Sequence, residues 1–166
     1  MVMHDNRSGA VDAAPLKLDE LQRDVLSHLL RDFLAAAPES AGREAYSALN
    51  DAVEKMAVPH ELTPSLGAIV EVALSTGHIR GTFGPAAELA LSALFQKTPR
   101  GETILGSMRE LNRALAKLKG RPLEEISASL RKPGVYALTI KSGEYRIVVR
   151  FDHDGAGVES VEVGGG

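Results

Sequence analysis

The sequence predicts an α+β fold in which helices come first and a small antiparallel sheet follows. Two observations carry this expectation. Apolar residues recur at steps of three and four over much of the chain up to about residue 119, and after Gly120 the period shifts towards two, with β-branched and aromatic residues gathered in GVYALTI and YRIVVRF. The expected organisation is a flexible N-terminal arm over 1–15, a helical region of about five helices over 16–119, and a β-meander with a short glycine tail over 120–166.

The opening MVMHDNRSGAVDAAP is polar, rich in small residues and aperiodic, which suits an arm. From Leu16 to Ala36 a helix is expected, with apolar residues over an arc of about 220°, more than the ~100° that one neighbour needs. That surplus marks Leu26, Leu30, Phe33 and Leu34 as candidate contacts with a protein partner or a second copy. Pro38 breaks the pattern and Ser40 can cap a second helix through Tyr46, Leu49, Val53 and Met56, ending near Ala57. VPHELTP reads as a loop. Thr63 and Pro64 then supply an N-cap and first-turn proline for a third helix, which Gly77 can close.

GHIRGTFGP, with glycines at 77, 81 and 84, reads as a loop before a helix starting at Pro85. It lacks the Gly-Lys-Ser/Thr ending of a phosphate loop, so it is taken as chain punctuation. Thr98 and Pro99 repeat the cap signature. Beyond them Ile104, Met108, Leu111, Leu115 and Leu118 form an apolar stripe ending at Gly120, while Arg109, Arg113 and Lys117, at steps of four, form an exposed basic face that Lys119 and Arg121 extend.

Ile126, Ala128 and Leu130 alternate with polar residues and begin the sheet. A two-residue hairpin at Ser142 and Gly143 sets Lys141 against Glu144, Ile140 against Tyr145, Leu138 against Ile147 and Tyr136 against Val149. A short loop over 154–156 then sets Val149 against Val161 and Ile147 against Val163. On this register Tyr136, Leu138, Ile140, Tyr145, Ile147, Val149, Val161 and Val163 share one buried face.

Composition narrows the function. The 166 residues are 44% hydrophobic and 25% charged, with no cysteine. A disulfide framework, a thiol nucleophile and a thiolate metal site are excluded. No apolar run has the length of a signal peptide or a membrane span, so a cytoplasmic protein without membrane contact is expected. Lys and Arg number 7 against 13 Asp and Glu over 1–96, 12 against 5 over 97–150, and 0 against 4 beyond. A basic middle between acidic ends suits internal pairing or an acidic partner.

The five histidines, at 4, 28, 60, 78 and 153, lie in separate segments, and neither a nucleophile elbow nor HExxH occurs. No catalytic residue and no cofactor is nominated. An EF-hand loop with Gly155 as its sixth residue would need carboxylates where Arg150 and Val161 stand, so no metal site is expected there. Three tyrosines, four phenylalanines and no tryptophan offer little for base stacking.

SGEYRIVVRFDHDG, residues 142–155, resembles the central hairpin of the type II toxin ribonucleases of the RelE kind, where a Tyr-Arg-Ile strand precedes an acidic turn. The resemblance covers 14 residues and implies that Arg146, Arg150 and His153 face RNA. The family's sheet begins with a strand ahead of two helices, whereas long helices come first here. Gly-Gly-Gly at the end is similar to the tails of ubiquitin-like modifiers, whose fold places a helix after the first hairpin, unlike this order. The expected role is therefore a non-enzymatic assembly, adaptor or regulatory subunit of bacterial type acting through protein contacts. The alternative is a nucleic-acid-binding regulator or toxin-like ribonuclease using the basic C-terminal half.

Overall fold

A computed structural model describes residues 14–36 and 42–164. Most of the N-terminal arm, Pro38, the Ser40 cap and the last two glycines lie outside the described residues. Helices precede an antiparallel sheet, so the fold is α+β. Among the described residues no helix is long and apolar enough to cross a membrane. The chain divides between Thr98 and Pro99 into two compact units. The sequence reading drew its line by secondary-structure type at 119; compactness groups the last helix with the sheet.

In the first unit, Leu16–Lys17 (β1) pairs antiparallel with Ala57–Val58 (β2), Leu16 opposite Val58. The Leu18 N–H donates to the Met56 carbonyl at 3.0 Å, so the chain stays extended past Leu16 and the first helix starts only at Glu20. Asp19 and Gln22 set that start. The Gln22 N–H donates to Asp19 Oδ1 at 2.8 Å and the Asp19 N–H donates back to Gln22 Oε1 at 3.0 Å, a reciprocal capping box. Helix α1 (Glu20–Ala36) packs on both α2 (Arg43–Glu54) and α5 (Pro85–Phe95), which accounts for its wide apolar arc.

Thr63 does not act as an N-cap. A 3-10 turn at His60–Leu62 runs straight into α3 (Thr63–Ser75), and the Thr63 hydroxyl donates to the His60 carbonyl at 2.7 Å. Gly77, at φ 71, ends α3 as expected. The segment expected as a loop is instead a short helix, α4 (His78–Phe83), bracketed by Gly77 and by Gly84 at φ 86. Ile79 draws it into the core, which also takes Leu26, Leu30, Leu49, Val53, Leu66, Leu91 and Leu94.

The second unit sets α6 (Pro99–Ala116) over a four-stranded meander in the order β3 (Glu125–Lys132), β4 (Val135–Ser142), β5 (Tyr145–Asp152), β6 (Gly155–Val163). Leu111 and Ala114 of α6 are buried with Ile147 and Val149, and Leu115, Leu118, Leu138, Val158 and Val161 pack around them. The expected face is right and the expected pairs are not. Ile140 meets Ile147, Leu138 meets Val149 and Tyr136 meets Phe151, a slip of two residues. The cause lies in the turn. Gly143, at φ 57, and Glu144 form the loop, with Ser142 opposite Tyr145. A two-residue hairpin of this type needs positive φ at its first loop position, so the glycine stands first.

The next turn slips further. His153 and Asp154 form it, Asp152 pairs with Gly155 and Val149 meets Val158, a slip of three, and the irregularity between Val148 and Val149 brings it back to two where Ile147 meets Val161. A slip of two, as along all of β4 and β5, keeps every side chain on its face. Two of the eight expected residues are nevertheless exposed, Tyr136 and Val163, and Val148 on the opposite face is buried alongside Ile147. Because α6 packs over β6 and β5, the helix side of β3 stays open.

Candidate functional site

Helix α6 positions the one basic row that the sequence singled out. Residues four apart on a helix stand nearly above one another, so Arg109 and Arg113 share a face, and Lys117 continues it in the turn just past Ala116. All three are exposed. None has an acidic partner among the described residues.

Six other cations of the second unit differ, while Lys119 and Lys132 likewise have no acidic partner among the described residues. Arg100 reaches Asp154 at 2.9 Å, Arg121 reaches Glu144 at 3.4 Å, Arg131 reaches Glu159 at 3.2 Å, Lys141 reaches Glu124 at 3.6 Å, Arg146 reaches Glu162 at 3.8 Å and Arg150 reaches Asp152 at 3.0 Å. Arg121 also lies 4.7 Å above the Tyr145 ring. Charge on the sheet is thus largely compensated, as is Arg100 at the start of α6, and the row of Arg109, Arg113 and Lys117 is not.

Beside the row runs a shallow groove of about 320 Å³ between α6 and β6, lined by Glu110, Arg113, Ala114, Lys117, Val158 and Val161. Its floor is apolar, and two cations and one carboxylate, Glu110, stand on its rim.

The residues implied by the toxin resemblance are placed differently. Arg146 and Arg150 project from the sheet face away from α6, each engaged with a carboxylate, and His153 stands in the β5–β6 turn with Nε2 3.2 Å from Asp154. Asp152, His153 and Asp154 bring ligand-type atoms within 4.8 Å of one another. Arg150 and Arg100 hold the two carboxylates, and Asp152 Oδ1 also accepts the Asp154 N–H at 2.9 Å. The cluster is a pinned turn.

Of the four α1 residues expected at an interface, Leu26 and Leu30 have no exposed surface. The first unit's own helices enclose them, so they are core residues and the expectation is corrected. Phe33 remains 39% exposed, its ring tilted 52° against Tyr46 with centroids 4.5 Å apart, and Leu34 is half-buried. Leu21, which was not singled out, is 42% exposed.

The sequence reading also missed the exposure of β3. All eight of its residues are exposed, Ile126 and Leu130 among them. The signal was present: the first strand of a meander is an edge by topology. Comparison with protein-family models, with curated proteins and with solved structures finds no match to this chain.

Proposed function

We propose that the protein is a non-enzymatic assembly or adaptor subunit that binds an acidic protein surface through the α6 row. The single observation behind this reading is the contrast in charge pairing. Six basic side chains of the second unit are matched by carboxylates of the same unit, while Arg109, Arg113 and Lys117 stand exposed in one row without one among the described residues, where Lys119 and Lys132 are unmatched singly. An uncompensated row beside an apolar groove favours a protein partner that brings both negative charge and apolar side chains. The setting we propose is cytoplasmic.

The test is binding of a synthetic acidic-apolar peptide and of mixed-sequence DNA and RNA, each at low and moderate salt, to the wild type and to a variant carrying Arg109→Glu, Arg113→Glu and Lys117→Glu. Peptide binding that falls roughly tenfold or more in the variant supports the reading. Micromolar nucleic-acid binding with a steep salt slope, lost in the same variant, replaces it with the nucleic-acid reading.

A further inference from the structure

We propose that two copies of this chain pair edge to edge through β3, antiparallel about a two-fold axis at Ala128, forming one eight-stranded sheet. This is independent of the α6 row. Among the described residues β3 pairs only with β4, which leaves its other backbone edge with unshared N–H and C=O groups. Sheet edges are commonly blunted by charge, proline or a bulge. The opposite edge, β6, is blunted in this way: its ladder is interrupted opposite Val148 and Val149, and it carries Glu159 and Glu162. The middle of β3, Ile126 to Leu130, holds no charge and no proline, and its ladder is irregular only beyond, between Leu130 and Lys132.

β3 is also its own complement. Outward-pointing backbone groups alternate along a strand, so two identical strands can bond antiparallel only where opposite residues have the same parity. With Ala128 facing the partner's Ala128, Ile126 faces the partner's Leu130, Ser127 the partner's Ser129 and, where the irregular end of the ladder begins, Glu125 the partner's Arg131. Each pair occurs twice. Centring on Ser127 would set Glu124 against the partner's Leu130, and centring on Ser129 would set Ile126 against the partner's Lys132. Parallel pairing would set Glu125 against the partner's Glu125. The Ala128 register alone among these matches apolar with apolar and charge with opposite charge. Glu125 has no ion-pair partner among the described residues, and Arg131, although 3.2 Å from Glu159, has further N–H donors to offer.

The same register carries the sheet's apolar rows across the join. Leu130 lies opposite Tyr136, and Tyr136 opposite Phe151; Ile126 lies opposite Ile140, and Ile140 opposite Ile147. In the pair the first row runs into the partner's second row. Ile126 and Leu130, 58% and 63% exposed in the single copy, each gain an apolar neighbour.

The test uses the full chain in sedimentation equilibrium with charge-reversal variants. Glu125→Arg sets two arginines together at both ends of the join, and Arg131→Glu sets two glutamates together. Each variant alone is expected to weaken dimerisation roughly tenfold or more, and an equimolar mixture of the two is expected to restore it, because both ends then pair opposite charges. Because the chain has no cysteine, Ala128→Cys introduces a lone thiol. Directly opposed Cα atoms about 5 Å apart allow a disulfide, so this variant is expected to form a covalent dimer on mild oxidation while Ser127→Cys does not. A wild type that stays monomeric up to about 200 µM overturns the proposal, since an edge pairing too weak to register there has no hold as an interface. A dimer indifferent to both charge reversals overturns it as well.

Discussion

Asp19 and Gln22 show how much a few polar atoms decide about where a helix begins. The D-x-x-Q spacing of a capping box stands in the sequence but went unread, and it lies three residues beyond the start that apolar periodicity alone suggested. Gln22 also donates from Nε2 to the Ala90 carbonyl at 3.1 Å, tying α1 to α5. Asp19→Ala is expected to cost about 1 kcal/mol in urea unfolding, with helix content otherwise kept. Leu30 teaches the complementary lesson. Its apolar character told that it would be buried, but which surface would bury it depended on helices distant in the chain. Because it is fully enclosed, Leu30→Ala is expected to destabilise the first unit by about 2–5 kcal/mol, measurable as a lower urea midpoint, and not to act as an interface mutation. Gly67 had no legible signal. A Cβ there would come within 3.0 Å of Thr98 Oγ1, and Thr98 is fully buried, with its hydroxyl held on the Phe95 carbonyl at 2.7 Å. Gly67→Val is therefore expected to cost about 2–3 kcal/mol by the same measurement.

Among the elements, the sheet separates what a period can tell from what it cannot. Alternation fixed which face each residue occupies, because a slip of one residue would turn the apolar set to solvent and a slip of two would not. The pairs themselves were set by one backbone angle, that of Gly143, whose place in the loop the letters Ser-Gly did not reveal. Gly143→Val forces a β-branched residue into left-handed space and is expected to cost at least about 1–2 kcal/mol in the second unit. Hydrogen exchange should show the β4 and β5 amides losing protection first. Helix α4 went unread for a related reason. Three glycines in a nine-residue stretch spoke for a loop, and only tertiary burial of Ile79 outweighs that local preference.

For the whole molecule, the two units carry separate cores of unequal size. Among the described residues sixteen buried apolar residues form the first cluster and four the second, so the second unit has less burial to set against its chain entropy. Rising urea is expected to release the β5 amides before those of α1 and α5, read by hydrogen exchange with mass detection. The uneven charge layout was legible from composition. Which cations would be free was not, since cross-strand pairs such as Arg146 with Glu162 depend on a register the turns decide. Helix α6 lies on one face of its sheet, over β5 and β6, far from the β3 edge. A two-fold axis perpendicular to the joined sheet keeps both helices on the same side. With strands about 4.8 Å apart, two basic rows would then stand roughly 30 Å from each other across an open apolar floor. A partner with two acidic patches at that spacing would be gripped at both, and the second contact would form at the high effective concentration of a tethered site. Grip would then depend on the protein's own abundance, because dilution to single copies leaves only one hand.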